Sequence, residues 1–163
     1  MNHLHPLLMK KLFTIFIALF FATSAAAFAA ESSPEPTAQF GTITVHISGM
    51  KNLPGMFGVS LYNSKKGFPG KHEQACASSM KTMSSNDDTV VFDHLPYGSY
   101  AVSVMHDENN NGKLDTNWIG IPKEGVGVSN NPKIGMGGPK FDDSVFTLDK
   151  KELEVTIAIK YRN

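Results

Sequence analysis

The residues best suited to chemistry lie in one run, from Asp107 to Trp118. This run carries short oxygen-bearing side chains at alternate positions, followed by a glycine, a leucine and a further carboxylate. Ca²⁺ is a hard cation that takes oxygen ligands and is often wrapped by such a loop. The spacing therefore predicts a calcium site whose ligands are Asp107, Asn109, Asn111, Asp115 and the backbone carbonyl of Lys113.

The loop departs from the EF-hand pattern at its last position. Trp118 stands where that pattern has a bidentate glutamate, and no helix is predicted on either side. We therefore expect a further ligand from Glu108, Asp142 or Asp143, and weak affinity, on the order of 10⁻⁴–10⁻³ M. The alternative is a plain Asn-Gly turn, which forms without a metal.

Histidines and methionines raise the alternative of a copper or zinc site. Three histidines lie in or at the ends of predicted strands: His46, His94 and His106. The soft partners of such a site would be Met50, Met105 and Met136. However, these three histidines have no His-x-His or His-x₃-His spacing among them, so the pattern favours ordinary surface or strand-end histidines.

The sequence lacks a convergent catalytic set. It contains no Gly-x-Ser-x-Gly and no His-Glu-x-x-His motif. Asp142 and Asp143 are adjacent, so on a strand they would point to opposite faces. We predict that the protein is not an enzyme. The alternative is a small periplasmic hydrolase or a transition-metal-handling protein that uses His106, Asp107 and Asp115.

The N-terminal segment has the composition of a secretory signal peptide. Lys10 and Lys11 precede an apolar run, Leu12–Phe21, and small residues follow it. The run is shorter than the roughly 20 apolar residues that span a membrane. We predict a signal peptide over residues 1–30 and a flexible leader over 31–39. The mature protein would then be periplasmic or secreted, with no membrane span.

Composition limits the partners of the remaining domain, residues 40–163. The chain has 15 basic and 15 acidic residues, so removing Lys10 and Lys11 leaves 13 against 15. Nothing in this balance indicates nucleic-acid binding. The single cysteine, Cys76, excludes an intramolecular disulfide and is expected to be a small buried hydrophobe. We expect a monomer that meets an envelope protein or a glycan.

Apolar and polar residues alternate along most of the chain after Gly41, as in half-buried strands. The predicted strands are Thr42–Ser48, Met56–Tyr62, Ser78–Met83, Thr89–Leu95, Tyr100–Met105, Phe141–Leu148 and Leu153–Tyr161. The glycine-rich stretch Gly120–Lys140 leaves room only for a short edge strand at Val126–Val128. These strands predict an all-β fold, a single antiparallel β-sandwich of about seven strands.

One turn makes the fold prediction more specific. Leu95-Pro96-x-Gly98-x-Tyr100 places a proline and a glycine at a tight turn before a new strand. This predicted hairpin resembles one found in transthyretin-like and other immunoglobulin-like domains. The resemblance implies a sandwich of that kind and carries no information about activity.

Three segments together resemble a known family: His106–Asn117, Gly120–Asn131 and Gly138–Phe141. They are similar to exported bacterial proteins grouped as domain of unknown function 2141, over about Phe40–Tyr161. The resemblance implies a small secreted or periplasmic β-rich domain. It implies no activity.

Overall fold

The computed structural model describes residues 39–51, 55–133, 135 and 137–162. The predicted signal peptide and nearly all of the predicted leader lie outside this part of the chain. The strands are β1 (Phe40–Ser48), β2 (Met56–Tyr62), β3 (Ala77–Thr82), β4 (Asp88–Pro96), β5 (Gly98–Asp107), β6 (Gly125–Val128), β7 (Phe146–Leu148) and β8 (Glu152–Ala158). A 3₁₀ turn, His72–Gln74, and one helical turn, α1 (Phe141–Ser144), complete the set of named elements.

The strands form two sheets. The first sheet has the order β4-β1-β8, and the second has the order β3-β2-β5, with β6 and β7 beside the two ends of β5. The all-β prediction is confirmed. The expectation of purely antiparallel pairing is wrong for one pair, because β8 runs parallel to β1. No hairpin joins β1 to β8, because the chain leaves the second sheet after β7 and enters the first sheet at β8.

Alternation along the strands builds the core between the sheets. Ile43, Val45 and Ile47 of β1 are fully buried, and their neighbours along the strand are partly exposed. Strand β2 is buried on both of its faces along nearly its whole length. Burial of each large aliphatic side chain contributes about 1.5–3 kcal/mol. The inner faces of the two sheets therefore supply the main driving force for folding.

The connection between β4 and β5 is a corner rather than the predicted hairpin. The two strands belong to different sheets and are joined through Tyr97 alone. The Tyr100 hydroxyl donates a hydrogen bond of 2.7 Å to the Pro96 carbonyl. This bond fixes the start of β5 against the end of β4.

Two local predictions are wrong. Phe141–Leu148 is not one strand, because its first half forms α1; the Ser144 hydroxyl bonds the Lys140 carbonyl at 3.0 Å. Acidic residues in the first turn favour this local helix. Cys76 is exposed rather than buried, since it precedes the edge strand β3, and its Sγ donates to the Leu61 carbonyl at 3.2 Å.

Two glycines of β6 allow the sheets to meet at one corner. A Cβ atom added at Gly127 would lie 2.7 Å from the Ile157 side chain, and one at Gly125 would lie 2.6 Å from the Tyr161 ring. Between them, Val126 exchanges backbone hydrogen bonds with Lys160. The close approach holds β6 against residues 157–161. Because β6 also pairs with the end of β5, the residues just before β6 are held near that end.

Candidate functional site

Asp107, the last residue of β5, anchors the loop that the sequence singles out. Its side chain is buried; Oδ1 accepts the Asn111 backbone N–H at 3.1 Å, and Oδ2 accepts that of Gly112 at 2.7 Å. Asn110 and Gly112 have positive φ angles of 59° and 74°. Asparagine and glycine tolerate this left-handed conformation, so the local sequence permits the chain to fold back around the carboxylate.

The remaining predicted ligands close the loop. Asn109 Oδ1 accepts the Asn111 N–H at 3.1 Å, and Asn111 Oδ1 accepts the Lys113 N–H at 2.8 Å. The amide nitrogens of Asn109 and Asn111 donate to Asp115 at 2.7 Å and 3.2 Å. The structure therefore brings Asp107, Asn109, Asn111 and Asp115 into one hydrogen-bonded loop, with Lys113 taking part through its backbone.

Glu124 is a component of the site that the sequence prediction missed. Its carboxylate is buried; one oxygen accepts the Glu108 N–H at 3.0 Å and the other accepts the Asp115 N–H at 2.8 Å. The β5–β6 register pairs His106 with Gly125, which sets Glu124 opposite Asp107. The sequence does show a glutamate two residues before the predicted edge strand, but it does not show that this edge strand pairs with β5.

The acidic residues proposed as additional ligands lie elsewhere. Asp142 and Asp143 belong to α1. The Ser144 carbonyl next to them accepts the Ser129 hydroxyl, which also bonds the Val102 N–H. Val102 precedes Asp107 by five positions, or about 16 Å along a strand. Because α1 lies near the other end of β5, Glu124 rather than Asp142 or Asp143 completes the loop.

Asp107, Asp115 and Glu124 have no basic side chain beside them in the part of the chain that the structure describes. Among the described residues, no lysine or arginine nitrogen lies within 4.0 Å of the carboxylates of Asp107, Asp115 or Glu124. Each oxygen of Asp107 and Glu124 accepts one backbone N–H and keeps a further lone pair. The site therefore combines negative charge with spare oxygen lone pairs.

No three His, Cys, Asp or Glu side chains in the described part of the chain are grouped to hold a metal ion. An ion bound in this loop must therefore use amide and backbone oxygens as well as carboxylates. Ca²⁺ accepts such a mixed set, whereas Zn²⁺ favours histidine and cysteine. The donor chemistry at Asp107–Asp115 matches calcium better than a transition metal.

A second turn projects from the loop. Asn117 Oδ1 accepts the backbone N–H groups of Ile119 and Ile121 at 3.0 and 2.9 Å. Asn117 also donates its own N–H to the Ile121 carbonyl at 2.8 Å. Trp118 lies in this turn and is 94% exposed. Trp118, which stands where the EF-hand pattern has its last ligand, therefore points into solvent and not into the loop.

His106 faces the core. It is fully buried, and its Nδ1 lies 2.7 Å from the Tyr161 hydroxyl. Burial raises the pKa of Tyr161. His106 shares the inner face of β5 with Val102 and Val104, so the structure does not place it beside Asp115 as the hydrolase and metal-handling alternatives require.

The other histidines also lie apart. His46 pairs with Glu154 across a distance of 3.6 Å on the first sheet, and His94 stacks on Phe40 with ring centroids 4.3 Å apart. Met136 falls outside the described residues. The histidine–methionine site therefore finds no support in the described part of the chain.

A groove of about 600 Å³ runs across the outer face of the second sheet; we call it the outer groove. Its floor includes two cross-strand rows, Ser78–Ser60–Ser103 and Met80–Gly58–Met105. One wall is residues 69–73, and the other includes residues 112–114 of the Asp107 loop. The loop therefore also forms part of one wall of this groove.

The described part of the chain is thus an all-β, two-sheet protein with an oxygen-lined loop beside a groove. Residues 45–156, most of the chain, match the model of a family described as uncharacterized protein conserved in bacteria, domain of unknown function 2141. The chain belongs to this family, as its motifs indicated. No curated protein and no solved structure matches it significantly.

Proposed function

We propose that this protein is an exported, non-enzymatic binding module of the cell envelope whose Asp107–Asp115 loop holds Ca²⁺. The observation that carries the proposal is the gathering of Asp107, Asn109, Asn111 and Asp115 in one loop, with the buried Glu124 carboxylate bonded to both of its ends. Buried carboxylates are normally paired with a cation or coordinate a metal. Calcium fits this set because all of its donors are oxygens.

The amide orientations indicate what ion binding would change. Asn109 and Asn111 turn their amide nitrogens toward Asp115. Ca²⁺ takes oxygen ligands only, so its binding is expected to replace these hydrogen bonds with contacts from oxygens. The change is confined to side-chain torsions, because the backbone is already held by Asp107 and Glu124.

A structural role for the ion follows from the position of the loop. Glu124 precedes β6 and Asp107 ends β5, so an ion in the loop would hold these two strand ends together. The same loop forms a wall of the outer groove, and its rigidity would maintain the shape of that surface. We propose that this surface meets an envelope protein or a glycan and that the module acts as a monomer.

The finer fold class is part of the proposal. Immunoglobulin-like domains often contain a tyrosine at a corner between sheets, whose hydroxyl bonds backbone a few residues upstream. Tyr100 bonds the Pro96 carbonyl in this manner at the β4–β5 corner. This bond supports an immunoglobulin-like or transthyretin-like sandwich.

Thermal unfolding in calcium and in chelator tests the metal site. A ligand that binds only the folded state at 10 to 100 times its Kd stabilises by about 1.4–2.7 kcal/mol. For a domain of this size, 10 mM CaCl₂ is therefore expected to raise the Tm by about 5 °C over EDTA. Equal Tm values in CaCl₂, MgCl₂ and EDTA would contradict calcium binding.

Matched variants connect the effect to the loop. Asp107→Asn and Glu124→Gln remove a carboxylate from the proposed site and are expected to abolish most of the calcium-dependent rise. Asp142→Asn removes a carboxylate of similar chemistry at α1, and should leave the rise unchanged. If Asp142→Asn removes the effect and Asp107→Asn does not, calcium binds elsewhere.

A further inference from the structure

The floor of the outer groove is apolar along the Met80–Gly58–Met105 row. Gly58 lies between Met80 and Met105 in the strand register, and a Cβ there would approach the ends of both methionine side chains, at 3.5 and 3.2 Å. The missing side chain leaves a trough between two flexible thioethers. Methionine side chains adapt their shape to apolar ligands. Val126, paired with Met105, continues the same row.

Two of the three serine hydroxyls in the row Ser78–Ser60–Ser103 already donate hydrogen bonds within the protein. Ser103 donates to the Pro69 carbonyl at 2.8 Å, and Ser78 donates to Ser60 at 3.5 Å. A hydroxyl has one proton to donate, so neither Ser78 nor Ser103 has a donor left for a ligand. A peptide or sugar requires several such partners, whereas an alkyl chain requires none. The floor therefore favours an alkyl chain.

The rims of the groove carry positive charge. Lys71 and Lys113 lie on opposite walls, and neither ammonium group has a carboxylate within 4.0 Å in the described part of the chain. Glu73 also lies on the rim, at 3.9 Å from His72. Among the residues that line the groove, two lysines stand against one glutamate, so the lining itself carries a surplus positive charge, which complements an anionic head group.

We infer that the outer groove binds a long-chain carboxylate, with the alkyl chain in the Met80–Gly58–Met105 trough and the carboxylate at the lysine rim. A volume of about 600 Å³ lies within the usual range of small-ligand sites. Strands β3, β2, β5 and β6 span about 14 Å across the floor, which suits an extended chain. This inference rests on the proposed role as a binding module and is independent of calcium.

Calorimetric titration with dodecanoate, below its critical micelle concentration and in EDTA, tests the inference. Dodecanoate is expected to bind one site per chain, at least about ten-fold more tightly than dodecyltrimethylammonium or dodecanol, since only the carboxylate pairs with the rim lysines. Absence of dodecanoate binding, or equal affinity for all three probes, would overturn it. EDTA keeps this result separate from calcium binding, which is measured without the amphiphile.

Filling the trough gives the sharper test. Gly58→Val adds a side chain that displaces only flexible methionine ends and suits a β-strand, so the variant is expected to fold and to lose detectable dodecanoate binding. Thr44→Val places a valine at a partly exposed position of the first sheet, away from the groove, and serves as the control for an added apolar surface. Retained affinity in folded Gly58→Val would refute the groove as the site.

Charge reversal tests the head group. The double variant Lys71→Glu/Lys113→Glu is expected to weaken dodecanoate binding at least about ten-fold and to leave dodecanol binding unchanged. Lys150→Glu/Lys151→Glu makes the same change in charge at exposed residues before β8, away from the groove lining, and controls for net charge. Equal losses in both double variants would show that only overall charge matters, and would overturn the assignment to the rim.

Discussion

Individual residues of the loop gain their roles from burial and from backbone donors. Asp107 and Glu124 are both nearly inaccessible, yet each accepts two N–H groups from the loop backbone. Charge-assisted hydrogen bonds of this type are stronger than neutral ones. The loop is therefore organised by two carboxylates, of which the spacing pattern identified Asp107 and not Glu124.

Glu124→Gln is expected to destabilise the protein even in EDTA. A glutamine supplies one acceptor oxygen, so its NH₂ group would face either the Glu108 or the Asp115 N–H and leave that donor unpaired. An unsatisfied buried donor costs about 1–3 kcal/mol. Urea unfolding should show this loss, whereas Lys123→Gln, next in the chain and exposed, should unfold like the natural protein. Unchanged stability of Glu124→Gln would contradict the bonds described.

At the scale of elements, close contacts and one ion pair hold the two sheets together. Strand β6 meets residues 157–161 through its glycines, and Lys81 of β3 reaches Asp88 of β4 at 2.5 Å. Both contacts join the second sheet to the first. Neither contact could be predicted from the alternation of apolar and polar residues. A period of two shows which face of a strand each side chain occupies, but it does not show which strand lies beside it.

Gly127→Ala is expected to destabilise the protein by about 1–3 kcal/mol, because the added methyl would lie 2.7 Å from Ile157 and 3.1 Å from the Ala158 carbonyl. Gly58→Ala is the matched control on another strand of the same sheet, since its methyl meets only flexible methionine side chains. Denaturant unfolding of the two variants compares them directly. Equal stabilities would contradict the close packing of β6 at this corner.

The Lys81–Asp88 pair predicts a pH-dependent contribution to stability. Burial opposes ionisation of Asp88, but hydrogen bonds from Lys81 and Thr89 outweigh it and hold the pKa of this carboxyl below its usual value. Because the pKa of Asp88 is lower in the folded protein than in the unfolded chain, its ionised carboxylate stabilises the fold at pH values above about 3.9, the ordinary pKa of an aspartate. This stabilisation is lost as the pH falls through the lower pKa of the folded state. Lys81 is half exposed, so the contribution is at most about 1 kcal/mol.

Asp88→Asn is therefore expected to lower the unfolding free energy at pH 7 by up to about 1 kcal/mol. The difference from the natural protein should shrink as the pH falls below about 4, the ordinary pKa of an aspartate, toward the lower pKa of Asp88 in the folded protein. Urea unfolding at a series of pH values measures both quantities. A difference that stays constant, or grows, toward acid pH would contradict the assignment.

At the scale of the whole molecule, the sequence predicted local structure better than assembly. The alternation around Ile43, Val45 and Ile47 identified a half-buried strand, and the all-β class followed from several such runs. The parallel β1–β8 pair and the change of sheet at Tyr97 did not follow, since each depends on contacts between distant segments. Glu124 was missed for the same reason, because its position depends on the β5–β6 register.

The outer groove likewise emerges only from assembly. Met80, Gly58 and Met105 lie on three different strands, and no spacing in the sequence places them in one row. The loop from Asp107 to Asp115, by contrast, is local, so residue types and spacing alone were enough to single it out. The loop, which the sequence singled out, and the groove, which it did not, meet at residues 112–114.

A crystal structure of the protein grown with CaCl₂ would show whether the loop holds the ion. One Ca²⁺ is expected in the loop, with oxygens of Asp107, Asn109, Asn111, Asp115 and the Lys113 carbonyl among its ligands. These oxygens should lie about 2.3–2.6 Å from the ion, and Glu124 should contact it or remain bonded to the loop backbone. A loop without a cation at saturating calcium, retaining its amide–Asp115 hydrogen bonds, would contradict the claim.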